Sequence, residues 1–255
     1  GMTNTSFIFE INGMDYIYRH PGDGTDSIIS RKNEKNSLIK AKEIGIDPTY
    51  IYADINEGWK ISVFISEFRE PDYNSFKDSK KIISVLRKLH GSGIKVDYGM
   101  DPWKDSLKIE KLLRKKAPEC FVLLYKKTAG DGVEKCFCHG DTYKSNWMIK
   151  PDGNVILIDW EYSGYSDPGI DVGYYIVDAM YDFDEAERFI KEYLQDSYTE
   201  KRYYHFWAYT AIIAYYWYVW ALYRESCGAV MGDALINWRD MAEKYADHIL
   251  DCEGE

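Results

Sequence analysis

The sequence has no excess of positive charge. Its 32 Lys and Arg residues are outnumbered by 42 Asp and Glu residues, which gives a formal net charge of −10. Proteins that bind nucleic acids need clustered basic side chains to neutralise phosphates, so this balance argues against a nucleic-acid partner. An acidic surface is compatible with a cationic substrate, although solubility alone is the simpler explanation.

Cysteine is also scarce. The five cysteines are odd in number and scattered along the chain, which is typical of reduced thiols in a cytoplasmic protein. Cys136 and Cys138 precede His139, but no second pair follows at the spacing of a zinc site. The first residues show no basic-then-apolar signal peptide. We therefore expect a cytoplasmic location and no structural zinc.

Long uncharged runs are rare, and the one exception does not resemble a membrane span. Residues 206–223 carry no charge over eighteen positions, which approaches the length of a spanning helix. Nine of the eighteen are aromatic, however, and Tyr and Trp lie throughout rather than at the two ends. The run predicts a buried helix that lines a pocket, and we expect no membrane insertion. Repeats, low-complexity tracts and flexible linkers are absent from the sequence.

The most informative stretch begins at Phe137 and reads FCHGDTYKSNWMIKPDGNVILIDWE. It predicts a strand, a polar turn, a short strand, a tight hairpin and a second strand that ends at Asp159. The spacing His139-x-Asp141-x4-Asn146 matches the catalytic loop of protein kinases. In that pattern Asp141 takes the substrate proton, while Asn146 and Asp159 hold Mg²⁺ on the phosphates. Asp-x4-Asn alone is common turn chemistry, but here a hairpin folds Asp159 back toward Asn146.

These residues carry a family resemblance. HGDTYKSN followed by IDWEYSGYSDPGIDVG resembles the choline/ethanolamine kinase branch of the aminoglycoside-phosphotransferase-like kinases, of the bacterial choline kinase type. The resemblance implies a protein-kinase-like fold of the α+β class with two lobes. Strand patterns predict a small lobe over residues 1–68, and helical patterns predict a larger lobe over 69–255. The resemblance implies that the first lobe binds the nucleotide and that the second is the catalytic and substrate-binding lobe.

The resemblance also implies positions for ATP. The start of the chain resembles the end of a glycine-rich phosphate loop, Arg19 takes the place of the strand lysine, and Glu34 pairs with Arg19. Backbone groups near Ile65 meet the adenine. The expected nucleotide-binding residues are Thr3, Asn4, Thr5, Ser6, Arg19, Glu34 and Ile65. The residues alone leave open a frayed terminus, a surface arginine and a solvent-facing glutamate.

Substrate specificity must come from the second lobe. A quaternary ammonium offers no N–H to donate, so a site for it uses the faces of aromatic rings. Trp217 and Trp220 are three residues apart and share one helix face, as in the choline kinase branch. The expected substrate-binding residues are Trp160, Glu161, Trp207, Trp217 and Trp220. Aromatic stripes also occur as plain core.

By the same resemblance, His139 and Asp171 have structural roles, with Asp171 bracing the catalytic loop. The expected activity is ATP- and Mg²⁺-dependent phosphorylation of the hydroxyl of a small amino alcohol, with choline favoured over ethanolamine. An aminoglycoside or other sugar alcohol is an alternative acceptor, although such polycations need many carboxylates. A nucleotide-binding pseudokinase or a choline-binding module without turnover is a further alternative. The sequence leaves the oligomeric state open.

Overall fold

The computed structural model describes residues 5–22, 29–129 and 131–251. The N-terminal part is a four-stranded antiparallel sheet in the order β1-β2-β4-β3. Its strands are β1 (Thr5–Ile11), β2 (Met14–His20), β3 (Tyr50–Ala53) and β4 (Lys60–Val63). Asn12 and Gly13 join the first two strands with φ values of 53° and 76°, as a two-residue hairpin turn requires.

Helix α1 (Arg31–Glu43) lies between β2 and β3 in the chain. The Ser30 hydroxyl accepts a hydrogen bond from the Asn33 N–H and so caps the first turn. Leu38 and Ala41 are buried in the core. On the same helix Glu34 is also buried, which places a carboxylate at the inner side of the sheet.

The C-terminal part is mainly helical. Its helices are α2 (Phe76–His90), α3 (Pro102–Leu112), α4 (Glu119–Thr128), α5 (Gly169–Asp178), α6 (Phe183–Leu194), α7 (Glu200–Ser226) and α8 (Asp233–Asp251). Helix α7 is the aromatic run of the sequence, and it packs against α8, α5 and α3. None of the helices in the described part of the chain combines the length and the apolar character that crossing a membrane requires.

Two short strand pairs lie between α4 and α5. Strand β6 (Trp147–Ile149) pairs with β7 (Val155–Leu157), and β5 (Cys136–Cys138) pairs with β8 (Gly164–Ser166). The β6–β7 pair is the hairpin that the sequence predicts. The sequence predicts loop where β8 lies, because the extended conformation of this strand depends on its distant partner β5.

The architecture is that of a two-lobed protein-kinase-like fold. The predicted boundary between residues 68 and 69 falls in the segment between β4 and α2, and it stays a prediction. In this segment the Arg69 and Ile149 backbones exchange hydrogen bonds of 3.0 and 2.8 Å. The connection is therefore fixed to the hairpin that ends at Asp159.

A buried histidine links α7 to two loops. The His205 ring is 1% exposed, with Nδ1 2.6 Å from Asp131 and Nε2 2.8 Å from Asp167. Burial alone would lower the pKa of His205, but its hydrogen bonds and charge interactions with the two carboxylates raise it to about 9. The ring is therefore an imidazolium that donates from both nitrogens.

We expect His205 to make the stability of the protein depend on pH. Because its pKa rises from 6.5 to about 9 on folding, its stabilisation is complete below pH 6.5 and is lost as the pH rises through 9. The loss should approach about 3–4 kcal/mol. Urea unfolding across this range measures it. His205→Gln, which cannot be charged, should remove this part of the pH dependence, and an unchanged profile in the variant would contradict the assignment.

Candidate active site

The polar turn between β5 and β6 is held by its own buried histidine. His139 Nε2 donates to the Ile158 carbonyl at 2.9 Å, and Nδ1 accepts the Asp141 N–H at 3.2 Å. Gly140 has φ 83°, and a Cβ there would lie 2.5 Å from the Tyr162 carbonyl oxygen. Only glycine fits this close approach. The turn is thus fixed on both sides of Asp141.

Asp171, in the first turn of α5, accepts three N–H groups. Its carboxylate receives the His139 N–H at 2.8 Å, the Gly140 N–H at 2.7 Å and the His90 Nε2–H at 2.9 Å. Burial alone would raise the pKa of Asp171, but the hydrogen bond and charge of His90 outweigh it, and the pKa is lowered. A fully buried charge therefore joins α5 and α2 to the turn.

Asp141 and Asn146 lie together at the mouth of this turn. The Asn146 amide donates to the Asp141 carboxylate at 3.0 Å and to the Asp141 carbonyl at 2.9 Å. The Tyr174 hydroxyl also interacts with this carboxylate. Burial is the largest influence on Asp141 and raises its pKa. A carboxylate with a raised pKa is a stronger base than one in water.

Asp159 stands at the end of β7 in an unusual backbone conformation. Its φ of 72° is in the left-handed region, where a residue other than glycine is uncommon and the conformation is strained. Its carboxylate is 2.8 Å from Arg19 and 3.3 Å from Lys60. Burial alone would raise the pKa of Asp159, but the charges of Lys60 and Arg19 outweigh it and lower the pKa. This carboxylate stays ionised.

The oxygens at this point fit a hard divalent cation. The Ile158 N–H donates to the Asn146 carbonyl at 3.0 Å, so the hairpin brings the chain at Asp159 next to Asn146. The Asn146 amide nitrogen is used by Asp141, which leaves its amide oxygen as a ligand. Glu34, Asp159 and Glu161 also form a group whose carboxylates lie within 4.8 Å of one another. Oxygen ligands of this kind suit Mg²⁺.

The predicted pairing of Glu34 with Arg19 needs correction. Glu34 instead forms ion pairs with Lys60 at 2.7 Å and with Arg31 at 3.1 Å. Arg19 contacts Asp159, and it lies 3.8 Å from Glu161. Lys60 is 12% exposed and joins Glu34 to Asp159, so it occupies the position between the two carboxylates. Sequence reasoning missed Lys60, because nothing in the strand pattern distinguishes it from a surface lysine.

The remaining nucleotide-side predictions have mixed outcomes. Thr3 and Asn4 lie outside the described residues. Thr5 and Ser6 belong to strand β1, where they pair with His20 and Arg19, and not to a loop. Ile65 lies just after β4 in the connecting segment, with its side chain half-buried.

Two of the predicted substrate residues are core residues. Trp160 is fully buried, donates its ring N–H to the Leu157 carbonyl at 3.1 Å and stacks on Phe137. Trp207 is fully buried against Tyr245 and His248. A ring without exposed surface cannot contact an entering ligand, so the substrate role does not fit either position. Glu161 is partly exposed and faces Arg19.

The other two tryptophans belong to a group of rings, here called the aromatic cluster: the buried Tyr174 and the half-buried Trp217, Trp220 and Trp238. The Trp217 ring lies 5.0 Å from Tyr174, 5.4 Å from Trp220 and 5.8 Å from Trp238. Because Tyr174 also interacts with Asp141, the cluster extends from the mouth of the catalytic turn. Tyr174 and Trp238 were not predicted to be substrate residues. They look like apolar positions of their own helices, and only the packing of α5, α7 and α8 brings them together.

Comparison with known proteins agrees with this geometry. The model of the phosphotransferase enzyme family matches residues 80–208, just over half of the chain. Protein LicA of Haemophilus influenzae is 21% identical over 98% of this chain and 79% of its own length. The crystal structure of choline kinase LicA from Streptococcus pneumoniae is 28% identical with a TM-score of 0.81, covering 97% of this chain and 91% of that one.

A LicA crystal structure in complex with AMP is 27% identical with a TM-score of 0.78, covering 98% of this chain and 90% of that one. The family match spans the catalytic turn, the hairpin and helix α5, which are the elements that form the site. The chain therefore belongs to the phosphotransferase enzyme family, and it is a small-molecule kinase.

Proposed function

We propose that this kinase transfers phosphate from ATP, with Mg²⁺, to the hydroxyl of choline. In this proposal Asp141 accepts the hydroxyl proton as the oxygen attacks, and Asn146 and Asp159 hold the metal. Mg²⁺ neutralises charge that develops on the transferred phosphate. His139 and Asp171 keep Asp141 in place through the hydrogen bonds of the turn.

The observation that carries the choice of choline is the aromatic cluster beside Asp141. A trimethylammonium group binds to ring faces through cation–π attraction, and tryptophan is the best of the aromatic residues for this. The Trp217 and Trp220 rings are 5.4 Å apart and meet at 78°, so their faces point in nearly perpendicular directions. Glu161 lies near Asp159 and Arg19, but burial and the charge of Asp159 raise its pKa to about 7, so it contributes only part of a negative charge at neutral pH. An alcohol with a cationic end would thus have its charge at the rings and its hydroxyl at Asp141.

The nucleotide assignment is supported by two cations and by one relative. Arg19 and Lys60 approach Asp159 from the sheet, where they could contact phosphate oxygens once a metal binds the carboxylate. The LicA structure with AMP shows a relative that holds a nucleotide. Ile65 lies after β4, in the segment where adenine would meet the backbone.

The alternatives predict different substrate preferences. An aminoglycoside would bring several ammonium groups with N–H donors, which need carboxylates rather than ring faces. Ethanolamine, a primary amine, would also prefer acceptors. A pseudokinase would bind nucleotide without transferring phosphate, but base and metal residues lie together here. ADP release with choline, ethanolamine and kanamycin at equal concentration separates them, since choline should give the highest kcat/KM.

We expect Trp217→Leu to raise KM for choline about 5- to 30-fold, because it removes a cation–π contact worth about 1–2 kcal/mol. KM for ATP should change little. Tyr198→Leu, which changes an exposed ring two residues before α7 begins, is the control and should leave both values unchanged. An equal loss of affinity for ATP and choline would mean that Trp217 only packs the core.

A further inference from the structure

Two thiols lie side by side on strand β5. Cys136 and Cys138 are alternate residues of an extended strand, so their side chains point to the same face. Their sulfurs are 3.6 Å apart. Cys136 is half-buried and Cys138 is fully buried, so of the two residues only Cys136 offers surface to a reagent.

The two thiols differ in acidity. The hydrogen bond from Cys138 lowers the pKa of Cys136, and the nearby charge of His90 acts in the same direction. Burial raises the pKa of Cys138 well above its usual value. The accessible thiol is thus also the one that forms a thiolate more readily. Attack by one exposed thiolate and resolution by a second, shielded thiol is the arrangement of reactive cysteine pairs.

A metal ion is a second candidate for this cluster, since His90, Cys136 and Cys138 are close enough to share one. Both ring nitrogens of His90 are already engaged, however. Nε2 donates to Asp171 at 2.9 Å, and Nδ1 is 2.7 Å from the Tyr193 hydroxyl. A metal would have to break one of these buried hydrogen bonds, whereas the joining of the two sulfurs leaves both intact.

Strand β5 continues directly into the catalytic turn. Cys138 precedes His139, whose N–H is bound by Asp171, and Cys136 pairs with Ser166 of β8. Alternate residues of a strand are about 6.6 Å apart, near the upper limit of about 6.8 Å between the Cα atoms of a disulfide. Most disulfides join Cα atoms about 5.5–6 Å apart, so closing this one without strain would shorten the strand and bend it just before His139 and Asp141.

We propose that Cys136 and Cys138 form an oxidation-sensitive pair, and that their disulfide lowers turnover by displacing the catalytic turn. With a disulfide such as oxidised glutathione, the Cys136 thiolate attacks one sulfur and releases one glutathione thiol. The Cys138 thiol then attacks the Cys136 sulfur and releases the second. The two cysteines lose two electrons and two protons, and the two glutathione molecules gain them.

The test is oxidation of the full-length enzyme by glutathione redox buffers, followed by mass spectrometry. We expect the peptide with residues 136 and 138 to lose two hydrogens, and dithiothreitol to reverse this. We also expect faster amide exchange over 139–146, a readout that does not depend on the proposed activity. In choline phosphorylation kcat should fall at least fivefold and recover on reduction.

Cys136→Ser and Cys136→Ala should abolish the loss of two hydrogens, the faster amide exchange and the fall in kcat on oxidation. Cys227→Ser is the matched control, because Cys227 is an exposed free thiol, and it should respond like the parent enzyme. Three results would overturn the proposal: no disulfide within this peptide, a disulfide that leaves exchange and kcat unchanged, or one zinc ion bound per reduced chain when zinc alone is added. If no substrate is turned over, the mass and exchange data still decide the question.

Discussion

Asp141→Asn should lower kcat about 10²- to 10⁴-fold, the range that a positioned general base contributes. The carboxamide has the size of the carboxylate, and its oxygen can still accept from Asn146 and Tyr174, so the turn should keep its shape. It has no basic oxygen to take the proton of the acceptor. Steady-state ADP release measures kcat, and titration calorimetry measures ATP binding, which should change less than threefold.

The control for this variant is Asp240→Asn, which removes a carboxylate with 58% exposed side chain on α8. It should leave kcat unchanged. If Asp141→Asn retains more than a tenth of the parental kcat, Asp141 is not the base. If ATP binding is lost together with kcat, the variant has disturbed the turn, and the unfolding free energy would show this.

The catalytic segment could be predicted because its structure is local. Pro151 and Gly153 lie between two short apolar strands, and these residues are enough to fold Asp159 back toward Asn146. The hydrogen bond between the Ile158 N–H and the Asn146 carbonyl closes this arrangement within thirteen residues. Turn chemistry and strand alternation act over this distance, so the sequence pattern contains most of the information.

The charge network of the first lobe could not be predicted in the same way. Lys60 reaches Glu34 from 26 positions away and Asp159 from 99 positions away. Which cation faces which carboxylate depends on strand register, and a shift of one residue turns a side chain to the opposite face. The sequence pattern predicted that Arg19 lies on a strand. It could not show that Lys60, which is two strands further along the chain, would form the ion pair with Glu34.

The substrate side illustrates a similar limit. All three tryptophans predicted to bind substrate on α7, Trp207, Trp217 and Trp220, are the same residue type, so composition cannot distinguish them. Their exposure differs although residues of α8 contact both parts of the helix. Trp207 packs against Tyr245 and is fully buried, whereas Trp217 packs against Trp238 and keeps part of its surface exposed. Helical periodicity predicts which face of the helix a residue lies on. It does not predict at which position along the helix a neighbouring helix leaves that face uncovered.

The second large effect is expected at Asp171, which connects the fold to the chemistry. Asp171→Asn should cost about 3–5 kcal/mol of unfolding free energy, as the loss of one partner of a buried ion pair does. The loss is large because an amide cannot accept all the hydrogen bonds that the carboxylate accepts. Three N–H groups converge on this carboxylate, and an amide has one accepting oxygen and a nitrogen that must itself donate. The N–H of the new amide would then face one of the N–H groups that Asp171 now accepts, and His90 would lose the negative charge beside it.

Urea unfolding at neutral pH measures this loss, and faster amide exchange at residues 139–142 should accompany it, with kcat reduced because Asp141 is held less firmly. Asp184→Asn is the matched control: it removes an exposed carboxylate from the first turn of α6, where only the helix dipole is affected, and should cost about 0.3–1 kcal/mol. A similarly small loss at Asp171 would mean that it serves only as a helix N-terminal charge. If Asp171→Asn costs about 3–5 kcal/mol of unfolding free energy but amide exchange in the turn is not faster, Asp171 stabilises the core and does not position Asp141.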